Sequence, residues 1–174
     1  MINFATGTMV EKSAKSRANK LADRILLGAA MLAAFAETLS ETEWEIPISA
    51  SDKRTVGVVV HHVASMYPIE TDAAQAVAGG KELMDVTWDV IAGINSQHSA
   101  DNSLVTKNEA IELLRQNSSA SAEAIRQLTD EQLDTAAPFG LSYGAPVTVQ
   151  FVIEDHALRH SWHHLAKIKL AVGR

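Results

Sequence analysis

The sequence predicts an all-α protein: a four-helix bundle with a longer crossover between the second and third main helices. Three observations carry that prediction. Residues that favour strands are scarce, with aromatics at 5% of the 174 positions and alanine recurring throughout. Helix start signals recur instead. Four stretches also place apolar side chains at the alternating three-and-four spacing of an amphipathic helix, joined by two short connections and one longer one.

The first helix opens at a capping box, in which the Thr8 hydroxyl and the Glu11 carboxylate satisfy orphan backbone donors reciprocally. It carries Leu21, Ile25, Gly28, Leu32 and Phe35 at helical spacing and ends before Pro47. A second helix begins near Arg54 and runs through VGVVVHHVASMY. Its run Val56 to Val60 has strand propensity, but flanking alanines and the lack of a partner strand favour helix. Gly79 and Gly80 mark a break, followed by a shorter helix or an ordered crossover. A second capping box, Thr106 with Glu109, opens the third long helix, which puts Ile111, Leu114, Ser118, Ala122, Ile125 and Leu128 on one stripe. FGLSYGAP then reads as a loop, with Pro146 suited to a first helical turn. The last helix extends from about Val147 to near Val172.

Composition bounds what such a bundle does. One domain over residues 1–174 is the simplest reading of this length. Apolar residues make up 47% and charged residues 21%, as in an ordinary soluble protein. Fifteen basic residues against 21 acidic ones leave a formal charge of −6. The one basic group, Lys12, Lys15, Arg17 and Lys20, reads as a solvated helix face, so nucleic acid is not an expected partner. The run Ile25 to Ala36 is too short to span a bilayer, and MINFATGTMVEKSAK has no signal core. A cytoplasmic protein without a membrane span is expected. The absence of cysteine excludes disulfides, thiolate metal sites and a cysteine nucleophile.

The chemistry-bearing stretch is HALRHSWHHLAKI, which holds four of the seven histidines. A histidine pair at i, i+4 shares a helix face with Cβ atoms about 6 Å apart, near enough to share a metal ion, although such a pair alone is more often chance. Register changes the balance here. Ile153, Ala157, His160, His164, Ile168 and Ala171 form a core-facing stripe, so His160 and His164 stand where leucine is expected. Two buried imidazoles without partners would each cost roughly 2 kcal/mol or more. His156 and His163 fall on the flank with Val149 and Val152 and read as partly exposed. A third ligand is available in VVVHHVA, where periodicity does not choose firmly between His61 and His62. Three imidazoles from two helices leave an open coordination position, the layout of a catalytic zinc site. Rival motifs fail: serine follows His160 where HExxH needs glutamate, and no Glu-x-x-His pair suits a di-iron centre.

TVGVVVHHVA in the second helix and HSWHHLAKI in the last resemble the DinB / YfiT-like superfamily of four-helix bundles, over nearly the whole chain. The resemblance extends to the crossover, TKNEAIELLRQN and LTDEQLD. It implies His62 rather than His61 as the second-helix ligand, because an aliphatic and a small residue follow it in His62-Val63-Ala64, and it maps the other two ligands onto His160 and His164. One departure stands out: many members carry arginine, glycine and glutamine after the last histidine, where this chain has Leu165, Ala166 and Lys167. The resemblance further implies zinc or nickel as the cofactor, and a transferase or isomerase that activates an external low-molecular-weight thiol or a water.

A metal-dependent hydrolase on the same triad is the second expectation, a metal-stabilised or metal-sensing bundle without activity the third, and a hydrogen-bonded histidine cluster in the core without metal the fourth. The first two imply a small-molecule substrate. A homodimer packed through apolar helices is a further expectation. Glu154 and Asp155 could orient a ligand imidazole but read more readily as solvated. Trp88 and Trp162 read as core or interface rather than pocket wall, and His98, in QHSADN, as an exposed loop residue.

Overall fold

A computed structural model describes residues 16–174. The capping box at Thr8 and Glu11, and Lys12 and Lys15 of the basic group, lie outside the described residues. The first main helix, α1, spans Ser16–Glu37 and buries Leu21, Ile25 and Leu32 as its periodicity predicts. Arg17 is not simply solvated, since its guanidinium holds Asp134 at 2.8 Å. A capping box of Ser40 and Glu43 then starts a single turn, α2 (Glu41–Trp44). It delivers Trp44 into the core, where the indole N–H donates to the Val105 carbonyl at 3.1 Å.

Thr55 caps α3 (Val56–Ala78), its hydroxyl accepting from the Val58 N–H. Val56 to Val60 is helical, and all five residues are buried. Burial on every side removes the edge that a strand would need and rewards a helix whose backbone bonds are internal. The break at Gly79 and Gly80 leads into the crossover, whose helix α4 (Trp88–Asp101) is capped by Thr87. It buries no residue fully, which fits a connection laid over the bundle rather than inserted into it. The expected capping box of Thr106 and Glu109 opens α5 (Lys107–Arg126), and every residue of its predicted stripe from Ile111 to Leu128 is buried.

The chain between α5 and the last helix departs from the all-helical reading. After a capped turn, α6 (Asp130–Asp134), strands β1 (Ala136–Pro138) and β2 (Pro146–Thr148) pair antiparallel with Ala137 opposite Val147. Pro146 therefore sits in a strand opposite Pro138, not in a first helical turn. Thr148 supplies the cap instead, its hydroxyl accepting from the Phe151 N–H. Two prolines facing each other in so short a ladder withhold donors that a longer sheet would require. The hairpin also binds the crossover, with Leu83 N–H on the Pro138 carbonyl and Gly140 N–H on the Leu83 carbonyl, both at 3.0 Å.

The last main helix comprises α7 (Val149–Ile153), a π-turn at Glu154–Leu158, and α8 (Arg159–Ala171). In the bundle, α5 packs against both α1 and α3, and the last helix closes the ring against α1 and α3. The core between them joins Ile25, Leu32, Val59, Val63, Leu114, Ile125, Ile153 and Ile168. Among the described residues, no helix is long and apolar enough to cross a membrane.

Candidate metal centre

The groove between α3 and α8 is where the histidine register becomes geometry. α3 presents His62, 4% exposed, and α8 presents His164, 6% exposed, with His160 one turn before it. One ligand-capable atom from each of the three lies within 4.8 Å of the others. Nε2 of His62 and Nε2 of His160 face each other at 3.2 Å, and the three ring centroids are 4.9 to 5.4 Å apart. A tetrahedral ion with metal–nitrogen bonds of about 2.0–2.1 Å sets its ligand atoms about 3.3 Å apart, so the separation of this pair suits such a centre.

Two of the three donors have the right protonation as well. Burial, reinforced by the neighbouring His160 and Arg54, pushes the His62 imidazole down to about 2, and burial likewise holds His164 far below the ordinary histidine range. Both are therefore neutral at physiological pH, the form that ligates metal. His164 Nδ1 is sealed from solvent without a hydrogen-bond partner. A buried nitrogen without a partner in a polar cluster fits an imidazole whose ring is held by a metal ion.

Glu70, two turns after His62 on α3, completes the arrangement. Its Oε1 lies 2.7 Å from His160 Nδ1, and the side chain is only 8% exposed. A carboxylate there favours the tautomer with the proton on Nδ1 and frees Nε2 to ligate, the carboxylate–histidine support common around metal ions. Sequence reasoning missed Glu70. Its one signal was an acidic residue on the wide apolar stripe of a helix that otherwise buries its side chains. Glu154 and Asp155, the acids weighed for that task, are paired elsewhere: Glu154 with Arg24 at 3.6 Å and Asp155 with Arg159 at 3.4 Å.

The remaining histidines separate clearly. His61 points away from the triad, with Nδ1 2.8 Å from Nε2 of His98. His98 is thus no exposed loop residue: it lies on α4, half-buried, and also reaches the Ser65 hydroxyl at 3.0 Å. Residues 61 and 98 together tie the crossover helix to α3, a long-range pairing that local sequence does not announce. His163 is exposed, and His156 is half-buried beside Phe139.

Above the triad opens a cavity of about 390 Å³. Ile69, Val86, Ile91 and Phe139 supply apolar wall, while Arg54, Arg159 and Lys167 supply positive charge. Trp88 lines this cavity, contrary to the core or interface reading, and its indole N–H donates to the Leu141 carbonyl at 3.1 Å. Trp162 lies outside it, at the surface over Gly28. Three imidazoles below a mixed apolar and cationic cavity can hold a divalent ion with a coordination position open to a small molecule.

Comparison with known proteins agrees with this architecture. The family described as the DinB superfamily matches residues 25–168. Among solved structures, the chain is similar to YfiT from Bacillus subtilis, described as a probable metal-dependent hydrolase with an unusual four-helix bundle topology. The two share 18% identity with a TM-score of 0.71, covering 90% of this chain and 86% of that one. No curated protein matches the sequence.

Proposed function

This chain belongs to the DinB superfamily, and from that premise we propose that it is a divalent-metal-dependent enzyme acting on a small molecule, with His62, His160 and His164 holding the ion. The observation that carries this reading is the convergence of three imidazoles, one ligand-capable atom from each within 4.8 Å of the others, on the wall of an open cavity. A bound zinc or nickel ion would act as a Lewis acid, lowering the pKa of a coordinated water or thiol enough to make it a nucleophile at neutral pH.

The chain's own residues do the rest. Glu70 holds the His160 ring in its ligating tautomer. Ile69, Val86, Ile91 and Phe139 receive the apolar part of a substrate and thin the water around the reacting group. Arg54, Arg159 and Lys167 balance negative charge that develops there.

Two chemistries use this arrangement. Thiol transfer or isomerisation needs a thiol from outside, since the chain has no cysteine. Hydrolysis needs only water, and the structural likeness to a protein described as a probable metal-dependent hydrolase supports that alternative. A purely structural ion is less well supported, because His61 turns to His98 instead of closing the coordination shell. We read residues 1–174 as one such domain, working in the cytoplasm, with a homodimer as the expected assembly. Solution mass at micromolar concentration tests the dimer, and a monomeric mass removes it.

Elemental analysis of untagged protein tests the central reading. About one zinc or nickel per chain supports it, and no metal after reconstitution refutes it. Loaded protein then separates the chemistries: consumption of an activated ester without thiol marks hydrolysis, and strict thiol dependence marks transfer.

A further inference from the structure

We propose that His156 is the proton-handling residue of the cavity: it hydrogen-bonds the nucleophile seated at the triad, takes its proton, and returns it to the departing group. This rests on the metal-centre reading above and goes beyond it by assigning a catalytic residue.

His156, His160 and His164 are spaced four apart, and an unbroken α-helix would carry all three along one face. The helix is broken by the π-turn at Glu154–Leu158, which accommodates one extra residue. The burial pattern records the slip. Val152 and Ile153 are both buried, and the next buried pair is Ala157 and Leu158, five residues on, instead of His156 and Ala157, four on. The π-turn therefore keeps His156 out of the buried set, while His164 lies in it and His160 at its edge.

The displaced ring lies on the wall of the cavity that also holds the triad. It packs edge-on to Phe139, centroids 5.7 Å apart. Among the described residues it makes no hydrogen bond, and unlike the Nδ1 atoms of His98 and His164 its nitrogens are not sealed from solvent. The charged and titratable groups around it are Asp155, with Oδ2 4.0 Å from His156 Nε2, Arg159 and His160 on the same helix, and Glu70 on α3. Asp155 is itself engaged by Arg159. Burial holds the imidazole below its ordinary range and hence neutral near pH 7. A neutral imidazole offers one donor and one acceptor, and this one has no internal partner to satisfy.

The step balances without a redox partner. The O–H or S–H bond of the nucleophile breaks, its proton passes to His156, and its electron pair forms the new bond to the electrophilic carbon. The bond to the leaving group then breaks, and that group takes the proton from the imidazolium. His156 ends neutral.

The test is calorimetric binding of acetohydroxamic acid to the zinc-loaded protein at pH 7, in two buffers of different ionisation enthalpy. This probe gives up a proton on chelating zinc. With part of that proton held by the imidazole, wild type should release measurably fewer protons to buffer than the variants. His156→Gln and the smaller His156→Asn should each release more and bind about tenfold more weakly, with zinc content unchanged. Proton release and affinity equal to wild type in both variants would overturn the proposal, as would loss of zinc, which would make His156 a ligand. Failure of the wild type itself to take up zinc is a different result: it refutes the metal centre, and the role of His156 with it.

Discussion

Glu70 offers the sharpest perturbation, because it touches the candidate centre without belonging to the ligand set. Its carboxylate is nearly sealed, one oxygen 2.7 Å from His160 Nδ1 and the other without a partner. In Glu70→Ala the Nδ1 partner disappears, the His160 tautomer is no longer biased, and the ring gains rotational freedom. Removing such an outer partner typically weakens metal binding about 10- to 100-fold, equivalent to about 1.4–2.8 kcal/mol. Glu70→Gln keeps an acceptor at the same reach but loses the charge, so its loss should be smaller than alanine's. The metal-free fold should respond differently. A buried carboxylate with one unpartnered oxygen is itself unfavourable by about 1–3 kcal/mol, so its removal offsets part of the cavity that alanine leaves. The assay is competitive zinc titration against a chromophoric chelator, paired with thermal melts of the metal-free proteins. Glu70→Ala binding zinc within twofold of wild type would refute the support role, as would a metal-free melt falling in step with the affinity.

Three further outcomes follow from the same geometry. His160→Ala should lose bound metal while keeping its helical circular dichroism, whereas His61→Ala, which faces His98, should retain stoichiometric metal; equal retention in both would contradict the ligand set. The metal-free protein should lose stability on acidification. His62 and His164 stay neutral when folded but take up protons near pH 6.5 when unfolded, so stability is fully present above that pH and falls as pH drops towards the folded values. At pH 5 the two together remove up to about 4 kcal/mol, and equal urea midpoints at pH 7 and pH 5 would refute the buried, neutral assignment. Gly57→Ala should destabilise by about 1–3 kcal/mol, because a Cβ there strikes the indole of Trp44, which is buried and cannot yield. Gly28→Ala meets the surface indole of Trp162, which can swing aside, so the gain in helix propensity of about 1 kcal/mol should cancel much of the strain. Chemical denaturation of both variants checks the contrast, and similar losses would contradict it.

The helices were legible because their signals are local. The capping box at Thr106 and Glu109 and the stripe from Ile111 to Leu128 act within a few residues of each other, and both appear as predicted. The hairpin was not legible: Ala136–Pro138 and Pro146–Thr148 are too short and too proline-rich to read as strands, and they gain their pairing from the crossover at Leu83 as much as from each other. His98 was misplaced for a related reason. Its polar neighbours suggest a loop, while the contact that orders it, His61, lies 37 residues away.

The candidate centre divides along the same line. Helical periodicity alone placed His160 and His164 on a buried face, since a rise of one turn every 3.6 residues is a property of the chain by itself. Choosing His62 over His61 by geometry required the rotation of α3 against α8, which is set by packing of both helices into the core. Glu70 reaches His160, and His156 comes to line the cavity beside the triad, only because helix contacts and a π-turn fix distances and phases that no single segment contains. Sequence thus marked the last-helix pair His160 and His164 as polar side chains at core-facing positions. Tertiary packing decided which of them meet, because convergence depends on the relative placement of elements that local backbone energetics leaves free.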